Sequence, residues 1–189
     1  MLFRSVAEFQ WAPSYRAAVN RVGKLARTKN KKFLNVIQAY SGHGVNKRLP
    51  TKKEFRYMFY ASIIAETDGL LFWMHAWATP AWNESVLYPT IKEFRSYLPA
   101  IVTSRNAKNI APANYVDLEI KLFPIPNTKK YLVLAVNHAL NQINSTIRLD
   151  RQLAGQSITL NKKLIAHLST QSSFKVNLNP CEVRLYEIG

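Results

Sequence analysis

Cysteine is nearly absent from this sequence: Cys181, between Pro180 and a strand-like run, is the single one in 189 residues. A lone thiol excludes an internal disulfide and leaves the redox compartment open. Long apolar runs are missing too. None reaches the roughly 18 residues that would cross a membrane, and the longest, Gly69 to Trp82, is rich in aromatics, holds His75 and suits a buried strand. The N-terminal MLFRSVAEFQW has no sustained apolar core and no small-residue cleavage site, so no signal peptide is visible. Localisation stays open, because a longer parent protein could be secreted. Carboxylates are scarce: 11 Asp and Glu stand against 26 Lys and Arg, a formal net charge of +15.

What is present is the composition of a folding chain. Apolar residues make up 48% and aromatics 12%, enough apolar surface to offset ordering entropy and to exclude the disordered class. The length allows one domain or two small ones. The positive charge makes nucleic acid or another polyanion a possible partner. Its densest clusters are Arg27, Lys29, Lys31 and Lys32, then Lys47, Arg48, Lys52 and Lys53, both at turns between periodic segments. A solvated loop face is the expectation for them, and no helix-turn-helix, RNA-recognition signature or zinc finger accompanies them.

The chain reads in two halves. Ser14 to Arg27 has helical spacing, with Ala18, Val22 and Leu25 as its apolar stripe and Ser14 as the cap after Pro13. Phe33 to Tyr40 reads as a strand of the doubly buried, parallel kind. After the loop SGHGVNKRLP, Thr51 and Glu54 form a capping box that opens a helix with Phe55, Phe59 and Ile63 inside. Gly69 leads into a second strand, Leu70 to Trp77, and Ser85 to Leu98 reads as a third helix with Leu87, Ile91, Phe94 and Leu98 on one face. Helix, strand, helix, strand, helix means α/β with parallel strands. The polar segment SRNAKNIAPAN reads as a linker, dividing the chain into residues 1–111 and 112–189. Beyond it, Val116 to Leu122 alternates strictly, and Tyr131–Asn137, Ser145–Leu149, Ser157–Leu160, Leu164–His167, Phe174–Leu178 and Glu182–Ile188 follow at short spacing. Short strands separated by turn signals predict an antiparallel β-sandwich.

Two parallel strands do not make a stable sheet, because each edge presents unpaired backbone groups. Further strands must come from an upstream segment, from another chain through self-association at the open edges, or be replaced by cover from the sandwich. The order of elements resembles the last two β/α units of glycoside-hydrolase-like (β/α)8 barrels of the β-galactosidase-like kind, with their trailing sandwich. The residues that carry the resemblance are Gln38 at a strand end, Pro50-Thr51 at a helix start, and the series Glu54, Arg56, Met58, Tyr60 and Ala61. Gly69 before a strand bearing Trp73 and Trp77, the helix YPTIKEFRSYLPAI, the "LAVN" strand at Leu134 to Asn137 and the closing PCEVRLYEI complete it. The resemblance implies a C-terminal part of a TIM-type barrel protein that acts on or binds carbohydrate.

Glycoside hydrolysis uses two facing carboxyl groups, which in a barrel sit at the C-terminal strand ends or in the loops after them. The first strand is followed by Gln38-Ala39-Tyr40-Ser41-Gly42-His43, with no acid, and after the second strand Glu84 is the sole carboxylate. Glu84 is therefore the one candidate acid, and one acid is not a pair; a chain of this kind is expected to be inactive alone. Gln38, Tyr40, His43, His75, Trp77 and Trp82 are the candidate saccharide-binding residues, stacking on sugar rings or hydrogen-bonding hydroxyls. If the second strand alternates to its end, Trp73, His75 and Trp77 share one face. A core position is the expectation for Trp73, and His75 serves equally as a core residue. No cofactor is called for. His43, His75, His138 and His167 lack metal-ligand spacing, SGHG lacks the length and lysine of a phosphate loop, and there is no serine elbow.

Overall fold

The computed structural model describes residues 11–41, 48–103, 107–110 and 115–189. The chain divides into two compact units, Met1–Glu93 and Phe94–Gly189. The division falls earlier than the 111/112 boundary read from the sequence.

In the first unit, α1 (Ala12–Thr28) precedes β1 (Leu34–Gln38), α2 (Lys52–Ile64) and β2 (Gly69–Trp73). β1 and β2 pair in parallel, with Leu34 opposite Gly69 and Gln38 opposite Trp73. The unit therefore holds the α/β alternation expected, with α2 at its centre. The capping box forms as read: Thr51 Oγ1 accepts from Glu54 N–H, and Glu54 accepts from Thr51 N–H. α2 is buried on nearly every side, through Phe55, Tyr57, Met58, Phe59, Tyr60, Ala61 and Ile64. Burial of each of the Phe, Met and Ile side chains contributes about 1.5–3 kcal/mol.

α1 differs from its sequence reading. Its N-cap is Trp11, with no side-chain cap bond, and Pro13 lies in the first turn. Its buried stripe is Ala12, Tyr15, Val19 and Gly23, while Val22 and Leu25 are exposed. Both stripes have helical spacing; the one that wins holds Tyr15, whose hydroxyl meets Ser62 Oγ at 2.9 Å and Asn35 Nδ2 at 2.8 Å, and Gly23, which allows close approach. Burial holds the Tyr15 phenol well above its ordinary pKa, an effect those two hydrogen bonds only partly offset.

β2 also ends sooner than predicted. Met74 adopts a left-handed conformation at φ 53°, and His75–Trp77 is a 3-10 turn. The alternation proposed to carry His75 and Trp77 along the strand therefore stops at Trp73. The short α3 (Pro80–Trp82), a π-turn at Asn83–Leu87 and α4 (Tyr88–Thr103) follow. Arg56 of α2 forks onto Glu93 of α4 at 2.6 and 3.0 Å.

The strand face turned to α2 is packed: Phe72 meets the rings of Phe55 and Phe59 at 5.9 and 6.4 Å, and Ile37 is buried. The opposite face is bare, with Leu34, Val36, Leu71 and Trp73 all exposed. Trp73 is 53% exposed, so the core position expected for it does not hold. Alternation explains this, since Trp73 lies with Leu71 on the side away from the helix.

The second unit is a β-sandwich. One sheet has six antiparallel strands in the order β3 (Lys108–Asn109), β4 (Leu118–Pro124), β5 (Tyr131–Asn137), β10 (Val183–Ile188), β7 (Ser157–Leu160) and β8 (Lys163–His167). The other pairs β6 (Ile143–Arg148) with β9 (Ser173–Leu178). β3 lies within the segment read as a linker and extends the sheet beside β4. Inward positions such as Leu118, Ile120, Val133, Ile147, Ile158, Val176 and Ile188 build one core. Asn137, at the end of the LAVN strand, is wholly buried. Its Nδ2 donates to the carbonyls of Asn141, Leu178 and Asn179, and its Oδ1 accepts from Ala139 N–H.

Candidate functional site

The C-terminal ends of β1 and β2 lie side by side, because Gln38 and Trp73 are register partners. The Gln38 amide donates to the carbonyls of Tyr40 at 2.8 Å and Arg48 at 3.1 Å, which ties both ends of the following loop to the strand end. Tyr40 is buried. His43 lies outside the described residues.

Beyond β2, the left-handed Met74 turns the chain so that Trp77, 50% exposed, follows Trp73 within four residues. His75 Nε2 meets Asn83 Oδ1 at 3.0 Å, which joins the 3-10 turn to the start of the π-turn. Glu84, the next residue of that π-turn, is exposed. Trp82 is 7% exposed; its indole N–H donates to Pro50 O at 2.7 Å and its ring stands edge-on to Phe55 at 5.1 Å. Thr79 Oγ1 caps this short helix by accepting from Trp82 N–H.

The structure thus brings Gln38, Trp73 and the His75–Trp77 turn to one end of the sheet. Tyr40 and Trp82 are buried in the packing, and Glu84 is at the surface. Two features escaped the sequence. Asn83 gave no signal, because its bond to His75 depends on where the π-turn starts. Trp73 had a signal, the alternation from Leu71, but a core expectation overrode it.

Glu54 is a buried carboxylate whose pKa is lowered. Burial would raise its pKa, yet hydrogen bonds from Arg48 (2.6 and 2.8 Å) and from Thr51 N–H outweigh burial and hold it below the ordinary value. It is committed to the loop and cap. Among the described residues no three His, Cys, Asp or Glu side chains converge as a metal site, and no helix is long and apolar enough to cross a membrane.

No protein-family model matches the sequence, and no curated protein resembles it. Solved structures do. The β-L-arabinopyranosidase of Geobacillus stearothermophilus, in complex with arabinose, matches with a TM-score of 0.60 at 15% identity, over 100% of this chain and 44% of its own. The fold is that of the C-terminal part of a glycoside-hydrolase-type barrel with its trailing β-sandwich. The α-amylase of Geobacillus thermoleovorans, complexed with acarbose, matches at TM-score 0.56 and 10% identity, over 93% of this chain and 47% of its own. An Anoxybacillus α-amylase matches at 0.55 and 10%, over 96% and 46%. The chain therefore spans less than half the length of the glycoside hydrolases it matches.

Proposed function

We propose that this chain is the C-terminal part of a glycoside-hydrolase-like protein and contributes a saccharide-binding floor, with the catalytic acids supplied by polypeptide outside these 189 residues. The observation that carries the reading is the pair of half-exposed indoles, Trp73 and Trp77, at the C-terminal strand ends of a parallel β/α unit. That is the end at which barrel enzymes hold their sites. Exposed indole faces stack on sugar rings, and the His75–Asn83 couple with the Gln38 amide supplies polar groups beside them. Tyr40 and Trp82, buried in the packing, hold the floor. Glu84 is the single carboxylate between the end of β2 and α4, and both retaining and inverting hydrolysis need two. The bare face of Leu34, Val36, Leu71 and Trp73, turned away from α2, fits the interior of a barrel that further strands would close. In their absence the same face and edges favour self-association.

The test is saccharide binding by the 189-residue chain, screened over arabinosides, galactosides and α-glucans by calorimetry, with hydrolysis of the matching aryl glycosides measured in parallel. Weak binding, lowered about tenfold in Trp77→Ala at unchanged circular dichroism, and no turnover are expected. Turnover abolished by Glu84→Gln would overturn the inactivity of the chain alone. Binding indifferent to both Trp73→Ala and Trp77→Ala would overturn the floor.

A further inference from the structure

The charge is not spread evenly. Residues 9–53 hold eleven Lys and Arg and no Asp or Glu. Among the described residues, Arg27 meets Glu66, Lys32 meets Asp68 and Arg48 meets Glu54, all carboxylates from later in the chain. Arg21, Lys24, Lys29 and Lys31 are exposed and have no carboxylate partner among the described residues. Arg21 and Lys24 sit one turn apart on the outer side of α1, opposite the buried stripe of Ala12, Tyr15, Val19 and Gly23. Lys29 and Lys31 follow immediately after its C-terminus, and the helical part of the row from Arg21 to Thr28 spans about 10 Å.

The helix dipole favours a cation at Lys29. It does nothing for Arg21 and Lys24 in mid-helix, where a like-charged neighbour three residues away is destabilising. An uncompensated row of this kind is the electrostatic footprint of an anionic polymer. Among the described residues the row offers no ring for base stacking, the usual second half of a single-stranded nucleic-acid site: Tyr15 is buried, and Trp11 packs edge-on to Tyr15 and Tyr57. The large apolar side of α1 is turned inward, which leaves only Val22 and Leu25 to enter a lipid surface.

We propose that the outer face of α1 and the turn after it, through Arg21, Lys24, Lys29 and Lys31, bind an acidic polysaccharide, a carboxylated or sulfated chain. This site is separate from the Trp73–Trp77 floor, so either can fail without the other.

The experiment titrates the chain with polygalacturonate and with its methyl-esterified, uncharged counterpart at several salt concentrations. Single-stranded DNA and phosphatidylglycerol vesicles serve as comparators. Polygalacturonate should bind and the ester should not, with affinity falling steeply as salt rises. The variant Arg21→Gln/Lys24→Gln/Lys29→Gln/Lys31→Gln should lose at least tenfold, and Arg21→Gln/Lys24→Gln alone at least threefold. Neutralising four exposed lysines of the sandwich instead (Lys129, Lys130, Lys162 and Lys163 to Gln) should cost less than twofold. Equal losses in the two fourfold variants would reduce the effect to net charge and overturn the proposal. So would absence of polygalacturonate binding, or DNA or vesicles binding tenfold tighter through the same four residues.

Discussion

Glu54 accepts from both Arg48 guanidinium nitrogens and from Thr51 N–H while almost wholly buried, so one carboxylate closes a loop and starts a helix. Glu54→Gln keeps the shape and removes the charge. Hydrogen bonds to charged groups contribute about 1.5–3 kcal/mol, and Arg48 is half in water, which screens part of this. A loss of about 1–2 kcal/mol is expected at pH 7. The sign with pH follows from the lowered pKa. The folded state binds the Glu54 proton more weakly than the unfolded chain does. Its stabilisation is therefore complete above the ordinary glutamate value of about 4.3 and is lost as pH falls through the lower folded value. Urea midpoints of the parent and Glu54→Gln should differ at pH 7 and converge below about pH 4. A gap that stays constant with pH would show that the charge contributes nothing.

At the scale of elements, the contact of α1 with the end of α2 turns on Gly23. A β-carbon there would lie 3.2 Å from the carbonyl oxygen of Ala65 and 3.3 Å from the Phe33 ring. Backbone cannot yield as a side chain can. Gly23→Ala gains about 1 kcal/mol of helix propensity and should come out near neutral, whereas Gly23→Leu overpacks the contact and should cost about 1–3 kcal/mol. Thermal midpoints of the two variants read the difference directly; a stabilised Gly23→Leu would mean that α1 can move away. The same helix shows what sequence could tell. Its existence was legible from spacing, but its inward face was not, because Ala18-Val22-Leu25 and Ala12-Tyr15-Val19-Gly23 are both helical stripes and the hydrogen bonds of Tyr15 decide between them. The sandwich strands were easier. β5 and β7 match their predicted bounds, since alternation and turn residues act locally. The Thr51–Glu54 box was legible for the same reason. The end of β2 was not, because the ladder with β1 stops at the Gln38–Trp73 pair and Met74 turns left-handed just after it. With that turn went the orientation of His75 and Trp77, and hence most of the candidate site.

For the molecule as a whole, a bare apolar sheet face and a charge of +15 act in opposite directions. Leu34, Val36, Leu71 and Trp73 face solvent on a sheet with both edges unpaired among the described residues, a surface that draws copies together. The charge drives them apart over a Debye length of about 30 Å at 0.01 M salt, but only about 3 Å at 1 M. Sedimentation of the 189-residue chain should therefore give the monomer mass near 0.01 M salt and larger species near 1 M. Leu34→Gln/Leu71→Gln leaves the charge alone and removes apolar surface. It should remain monomeric at both salt concentrations, with a thermal midpoint within a few degrees of the parent, since exposed positions seldom matter by more than about 0.5 kcal/mol. An apolar dye should fluoresce with the parent at low salt and much less with the variant. If the variant unfolds, the face is core, covered within this chain. If it folds but associates as the parent does, the face is not what copies recognise. Loss of association with the fold intact would identify this face as the one that turns inward in a barrel, because helices cover the outside of a (β/α) barrel and the strand side chains facing away from them fill its interior.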